Sequence, residues 1–138
     1  MTREEVKKYL QDYRQAQRRL EIAQRKLEEF ESKLTPPIDY SKPRVGGGKK
    51  TDMADLIARL SAIHDKVHNE YMEASNQLIK VKEMLTKVED AREREILTRR
   101  YISCQHWDTI SYEMRLDRRW VFRLHDRALD KIAEVYDN

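Results

Sequence analysis

A chain of 138 residues is long enough for one domain, or for a small domain carrying an extension. Charged residues make up 38% and apolar ones 39%, with only 3 Gly and 3 Pro, a balance that suits long solvated helices and argues against a sheet protein. The formal net charge of +3 is too mild to imply a nucleic-acid partner by itself. The charged first twenty residues and the lack of any apolar run near ~18 residues exclude a signal peptide and a membrane span, so the expected location is cytoplasmic.

Thr2 to Leu34 reads as one helix. Thr2 and Glu5 have capping-box spacing. Apolar residues then recur at Val6, Tyr9, Tyr13, Ala16, Leu20, Ala23, Leu27, Phe30 and Leu34, in steps that alternate three and four as in a heptad pattern. At 1.5 Å per residue this predicts a rod roughly 50 Å long. Its stripe needs another helix to cover it, from this chain or from a second copy.

Residues 35–51, TPPIDYSKPRVGGGKKT, end the rod in a flexible loop through Pro36, Pro37, Pro43 and the run Gly46 to Gly48. GGGKKT suggests a phosphate-binding loop, but the Walker pattern fails. Pro43 holds the first glycine position, Lys50 holds the Ser/Thr position, and no strand precedes them.

A second long helix is expected over 52–88, with its seam at Met53, Ile57, Leu60, His64, Val67, Tyr71, Ala74, Leu78, Val81, Leu85 and Val88. Leu56 and Ile63 widen the apolar face, which predicts more than one neighbour. Two rods of similar length joined by one loop predict a long antiparallel, coiled-coil-like hairpin over 1–90, either isolated or paired as a four-helix dimer. His64 and His68 stand one helical turn apart and could share a metal. Asp65 replaces the Glu of the zinc-protease motif, however, and no third ligand is evident. Cys104 and His106 likewise supply only two ligands. The single cysteine excludes an internal disulfide and fits a reducing compartment. No nucleophile and base pair is recognisable, so neither enzymatic activity nor a cofactor is expected.

Near Asp90 the character changes. Asp90 and Glu93 mark another helix start, and Ile96, Leu97 and Tyr101 form a short apolar face. Three helices are predicted, at 91–102, 107–114 and 117–136. They make a second domain, 91–138, small enough to need support from the hairpin. Trp107, Ile110 and Met114 share one face. Arg115-Leu116 breaks the pattern, Asp117 stands at an N-cap position, and Val121, Leu124, Ala128 and Ile132 begin a new stripe. Helix, turn of three or four residues, helix is the spacing of a helix-turn-helix.

Every cation from Ala91 to Asp130 is arginine, whose planar fork suits phosphate oxygens and guanine edges. With the stripe facing inward, Arg119, Arg123, Asp126 and Asp130 point outward. Phe122 and Arg127 flank them, with Trp120 beside Arg127, and His125 is angled toward the core. Arg118, Arg119, Phe122, Arg123 and Arg127 are therefore the candidate DNA-contacting residues. Arg119 and Arg123 would enter a groove, and Phe122 would meet a thymine methyl. The plainer alternative is a solvated surface helix whose arginines pair with Asp126 and Asp130.

The run Glu93 to Ile132 resembles region 4 of bacterial sigma factors and, more distantly, the DNA-binding domain of LuxR-type regulators. The features that carry the likeness are Arg100-Tyr101, Trp107, Ile110, Val121, His125, Ala128-Leu129 and the cap at Asp117. It is most similar to small phage proteins with a sigma-region-4-like C-terminus, including the ArpU and RinA late-gene activators of Gram-positive phages. The N-terminal rods look like those of streptococcal phage proteins. The sequence departs from the pattern at Arg115, where a small residue or Gly is common, and at Asp117, where Ser is usual. The resemblance implies a phage or prophage transcription regulator that binds double-stranded DNA through residues 107–127. Operator half-sites together with the unpaired seams of the rods make a homodimer the expected state. The chain lacks the other sigma regions that melt a promoter. A second reading makes the protein a helical interaction module whose rods dock RNA polymerase or another partner, with the C-terminal unit only packing.

Overall fold

The computed structural model describes residues 1–34 and 50–137; the loop expected over 35–51 lies, for residues 35–49, outside the described residues. The fold is all-α. Among the described residues there are five α-helices and no strand: α1 (Arg3–Leu34), α2 (Lys50–Leu85), α3 (Ala91–Leu97), α4 (Trp107–Met114) and α5 (Arg118–Val135). None is long and apolar enough to cross a membrane. The chain divides into two compact units, one made of Met1–Ala16 with Ala74–Asn138 and the other of Gln17–Glu73.

The start of α1 follows from its first residues. The Thr2 N–H donates to Glu5 Oε2, and the Glu5 N–H donates to Thr2 Oγ1, each at 3.2 Å, so the capping box closes in both directions.

In the unit Gln17–Glu73, α1 turns Leu20, Ala23, Leu27, Phe30 and Leu34 inward. Arg19 meets Glu70 and Glu73, each at 3.4 Å, while Glu31 lies 3.6 Å from His64. Higher numbers on α1 thus meet lower numbers on α2, and the two helices run antiparallel. The inward side of α2 departs from the expected seam. Leu60 and Val67 face inward as expected, but Leu56, Ile63 and Glu70 hold the intervening places, and Ile57, His64 and Tyr71 are exposed. Leu60 and Val67 belong to both stripes, so exchanging Ile57 and His64 for Leu56 and Ile63 turns the stripe by about 50°, half of the roughly 100° between adjacent residues. Leu56 and Ile63 favour that choice, and so does Glu70, whose buried carboxylate is held by Lys66 at 3.0 Å and by Arg19. Met53 and Ile57 lie further along than α1 reaches in this register, and they are 62% and 61% exposed.

The unit Met1–Ala16 with Ala74–Asn138 contains two apolar clusters. In the larger, Val6, Leu10 and Tyr13 of α1 pack with Val81, Met84, Leu85 and Val88, with Leu97 and Tyr101, and with Ala128, Leu129 and Ile132 of α5. The smaller joins Ile96, Ile110, Val121 and Leu124, bordered by Trp107, Met114, Leu116 and Trp120. Fully burying one Leu or Ile is worth roughly 1.5–3 kcal/mol. The short helices α3 and α4 gain their stability from this shared burial, since helices of seven or eight residues do not persist alone.

α3 opens at Asp90, whose carboxylate accepts the Glu93 N–H at 3.0 Å. The Glu93 side chain does not reach back to complete a capping box. It is buried and accepts from Lys131 Nζ at 2.7 Å. The helix expected over 91–102 is α-helical only to Leu97 and continues as a π-helical segment, Thr98–Ile102. The wider turn accompanies the burial of Tyr101, while Arg99 turns to Glu95 and Glu113 and Arg100 to the Gln105 carbonyl.

Candidate nucleic-acid interface

Three residues, Arg115, Leu116 and Asp117, separate α4 from α5. Arg115 adopts left-handed φ/ψ of 54° and 43°. Its N–H reaches the Tyr112 carbonyl at 3.3 Å, the Leu116 N–H reaches the Ser111 carbonyl at 3.1 Å, and the chain leaves α4 through a Schellman turn. Ser111 Oγ donates to the Leu116 carbonyl, which ties the turn back to α4. Asp117 has the extended backbone of an N-cap, yet its side chain makes no capping hydrogen bond, so its role is conformational.

α5 is sharply two-faced. Val121, Leu124, Ala128 and Ile132 are buried, joined by His125 and Leu129. Arg118, Arg119, Phe122, Arg123 and Arg127 are all exposed. Arg119 and Arg123, one turn apart, carry no ion pair among the described residues. Arg118 lies 3.2 Å from Asp108 of α4, with its guanidinium 5.9 Å from the Phe122 ring. Phe122 in turn packs at 4.9 Å on Trp107. Arg127 stands on the opposite flank, 5.3 Å over Trp120. The five residues therefore form a central pair and two flanks rather than one cluster. A helix lying in a groove offers that same division, with its centre to the base edges and its flanks to the phosphate walls.

Behind this surface lies a polar network. Tyr101 Oη is 2.7 Å from His125 Nε2, and His125 Nδ1 is 3.1 Å from Asp126 Oδ1. Burial lowers the His125 pKa below its ordinary value and pushes that of Tyr101 up to about 12. A neutral imidazole protonated on Nδ1 satisfies both contacts: the tyrosine donates to Nε2, and Nδ1–H donates to the carboxylate. Trp107 meets the His125 ring edge-on at 5.0 Å and carries Arg100 at 4.6 Å over its own ring.

The plainer alternative assigned Asp126 and Asp130 as counterions of the α5 arginines. The structure corrects this. Arg3 of α1 donates to Asp130 through Nε at 2.7 Å and Nη2 at 2.6 Å, and its Nη1 lies 3.6 Å from Asp126. No local pattern marks Arg3, which is one charge among many at the start of a rod. Among the described residues no group of three or more His, Cys, Asp and Glu is placed to hold a metal ion.

A family model described as "Protein of unknown function (DUF1492)" matches residues 33–133, which takes in α2, α3, α4 and most of α5. No curated protein and no solved structure matches the sequence. Because the match spans well over half of the chain, the protein belongs to the DUF1492 family.

Proposed function

We propose that the protein is a sequence-specific double-stranded-DNA-binding transcription regulator of phage or prophage origin, with α4 and α5 forming a sigma-region-4-like helix-turn-helix and α5 as its reading helix. The observation that carries this is the outward side of α5. Arg119 and Arg123 are exposed, one turn apart and unpaired by any described residue, on a helix entered through a three-residue turn. Such guanidiniums can make bidentate bonds to guanine O6 and N7, and Arg118 and Arg127 on the flanks can meet phosphates. Two-fold operators and the exposed apolar residues of α2 both favour a homodimer.

The test is duplex binding, using fragments selected from host and phage genomic DNA by the purified protein. Arg119→Ala with Arg123→Ala is expected to cost about 1–3 kcal/mol per lost bidentate contact and to relax sequence preference. Arg118→Ala or Arg127→Ala is expected to weaken all sequences alike and to flatten the salt dependence. Equal binding by the double variant and the wild type would rule the assignment out. Dimerisation is checked by light scattering at micromolar concentration, where a monomeric mass refutes it.

A specific observation also favours a docking role for the unit Gln17–Glu73. Met53, Ile57, Tyr71 and Met72 are exposed there on α2, apolar surface of the kind that a partner protein covers. In this second reading the rods hold RNA polymerase or another protein. Polymerase pull-down by the full chain would then fail with Ile57→Lys and Tyr71→Lys and persist with Arg119→Ala and Arg123→Ala.

A further inference from the structure

The outward side of α5 is poorly suited to an anion as long as α5 is considered alone. Arg119, Arg123, Asp126 and Asp130 follow one another in steps of four, three and four, so they share that side. Two positive charges are followed by two negative ones, and the strip sums to zero. Asp126 lies only about 4.5 Å of axial rise beyond Arg123, well inside a Debye length of about 8 Å at physiological salt. A phosphate backbone drawn to the arginines would meet two carboxylates almost at once.

α1 changes that balance. Its first turn brings Arg3 onto both carboxylates, with two short parallel bonds to Asp130 and a longer approach to Asp126. The first turn is itself fixed in place. The Met1 ammonium donates to the Tyr136 carbonyl at 2.9 Å, the capping box holds Thr2 and Glu5, and Val6 is fully buried next in line. Asp126 is also engaged from its other side by His125 Nδ1 at 3.1 Å. Arg3 pulls the Asp130 pKa below its ordinary value, so that carboxylate stays charged and needs a standing counterion at any pH where DNA is bound.

We infer that Arg3 is a positioning residue of the DNA interface: by masking Asp126 and Asp130 it turns the neutral outward strip of α5 into a net positive one that a phosphate backbone can approach. This rests on the reading of α5 as the DNA-contacting helix. Arg3 is not required to touch DNA. It acts through the two carboxylates, and the N-terminal turn of α1 thereby becomes part of the surface whose field the duplex meets.

The experiment measures duplex binding by fluorescence anisotropy across a salt series, with folding checked by circular dichroism. Arg3→Ala should weaken binding roughly tenfold, through repulsion by two unmasked carboxylates. The triple variant Arg3→Ala, Asp126→Asn, Asp130→Asn should return to wild-type affinity although the ion pair is gone. Asparagine keeps an acceptor for His125 Nδ1, so the network behind α5 is retained. Asp126→Asn with Asp130→Asn in the presence of Arg3 should bind at least as tightly as wild type, which covers the case of a triple variant that does not fold.

A role as a mechanical clasp makes the opposite forecast, since every one of these variants breaks the clasp. Weak binding by the asparagine double variant would overturn the inference, as would undiminished binding by Arg3→Ala. Failure of the underlying reading looks different. There the wild type binds no duplex, or Arg119→Ala with Arg123→Ala changes nothing, and the inference about Arg3 falls with it.

Discussion

In the unit Met1–Ala16 with Ala74–Asn138, Val6, Leu10, Leu97, Leu129 and Ile132 are sealed from solvent. In the unit Gln17–Glu73, the corresponding inward residues, Leu20, Leu27, Phe30, Leu60 and Val67, are only half buried, and among the described residues Ala23 and Glu70 alone are buried. Two helices cannot enclose what they share. Each inward side chain in a hairpin touches one neighbouring helix and keeps a rim in water, whereas in the other unit helices arrive from several directions and close the gap. Coiled-coil periodicity is present in both regions, but only one of them becomes a core.

The largest expected effect tests this contrast directly. Leu129→Ala should destabilise by about 2–5 kcal/mol, as for a buried leucine with no room to collapse. Leu60→Ala should cost about 1 kcal/mol, because much of its surface is wet before the change. Urea unfolding read by circular dichroism compares them. Amide exchange adds a second view: protection should be high in α3 and α5 and low in residues 53–67, where local opening costs little. Equal protection in the two regions would mean that α2 is covered, by a second copy or another protein, and the comparison would fail in an informative way.

Tyr101→Phe is the next test. It leaves His125 Nε2 buried without its donor, at an expected cost of about 1–3 kcal/mol, and it also frees the ring that orients Asp126. No equivalent buried neutral hydrogen bond is described in the hairpin unit, where the buried polar group is a charged one, Glu70.

These two groups also separate the regions by pH. Burial depresses the His125 pKa, so the unfolded chain takes up a proton more readily than the folded one. Stability from this source is complete above the ordinary histidine pKa of about 6.5 and is lost as pH falls from there toward the depressed folded value. For Glu70 the bond from Lys66 lowers the pKa, so its contribution survives to lower pH and disappears only as pH falls through the carboxylate range. A thermal midpoint that begins to drop as pH falls below about 6.5 in wild type, but not in His125→Phe, would assign that loss to the unit that holds His125.

The difference between the regions also explains what could be read from sequence. The inward face of α5 was legible because Val121, Leu124 and Ala128 leave one choice of face, and so was that of α1 from Tyr13 onward. At the start of α1 the fully buried residue is Leu10, which the expected stripe passes over for the partly buried Tyr9. The face of α2 was not legible, because Ile57 and Tyr71 are as apolar as Leu56 and Ile63, and what favours the latter is Glu70 meeting Arg19 from a distant part of the chain. The π-helical turn at Thr98–Ile102 was likewise hidden, since no local signal there separates five residues of wider helix from a continued α-helix. At the candidate interface the exposed arginines followed from helical geometry, but the partner of Asp126 and Asp130 did not. Arg3 lies 127 residues from Asp130, and only packing reveals it.

The smallest expected effect concerns the turn that aims α5. Arg115 stands at the left-handed position of the Schellman turn, where a Cβ crowds the following carbonyl at a cost of roughly 1 kcal/mol that glycine escapes. Glycine also has more freedom to lose on folding, which takes back about 0.4–1 kcal/mol of the gain. Arg115→Gly is therefore expected to change stability by no more than about half a kcal/mol, a difference of two comparable terms, and to leave the α4–α5 angle intact. Its informative readout is DNA binding. If arginine is kept at this strained position for its charge, the variant should bind duplex more weakly at low salt, and the deficit should shrink as salt rises. Unchanged binding and salt slope would make Arg115 a turn residue only, leaving electrostatic contact with the duplex to the exposed arginines of α5.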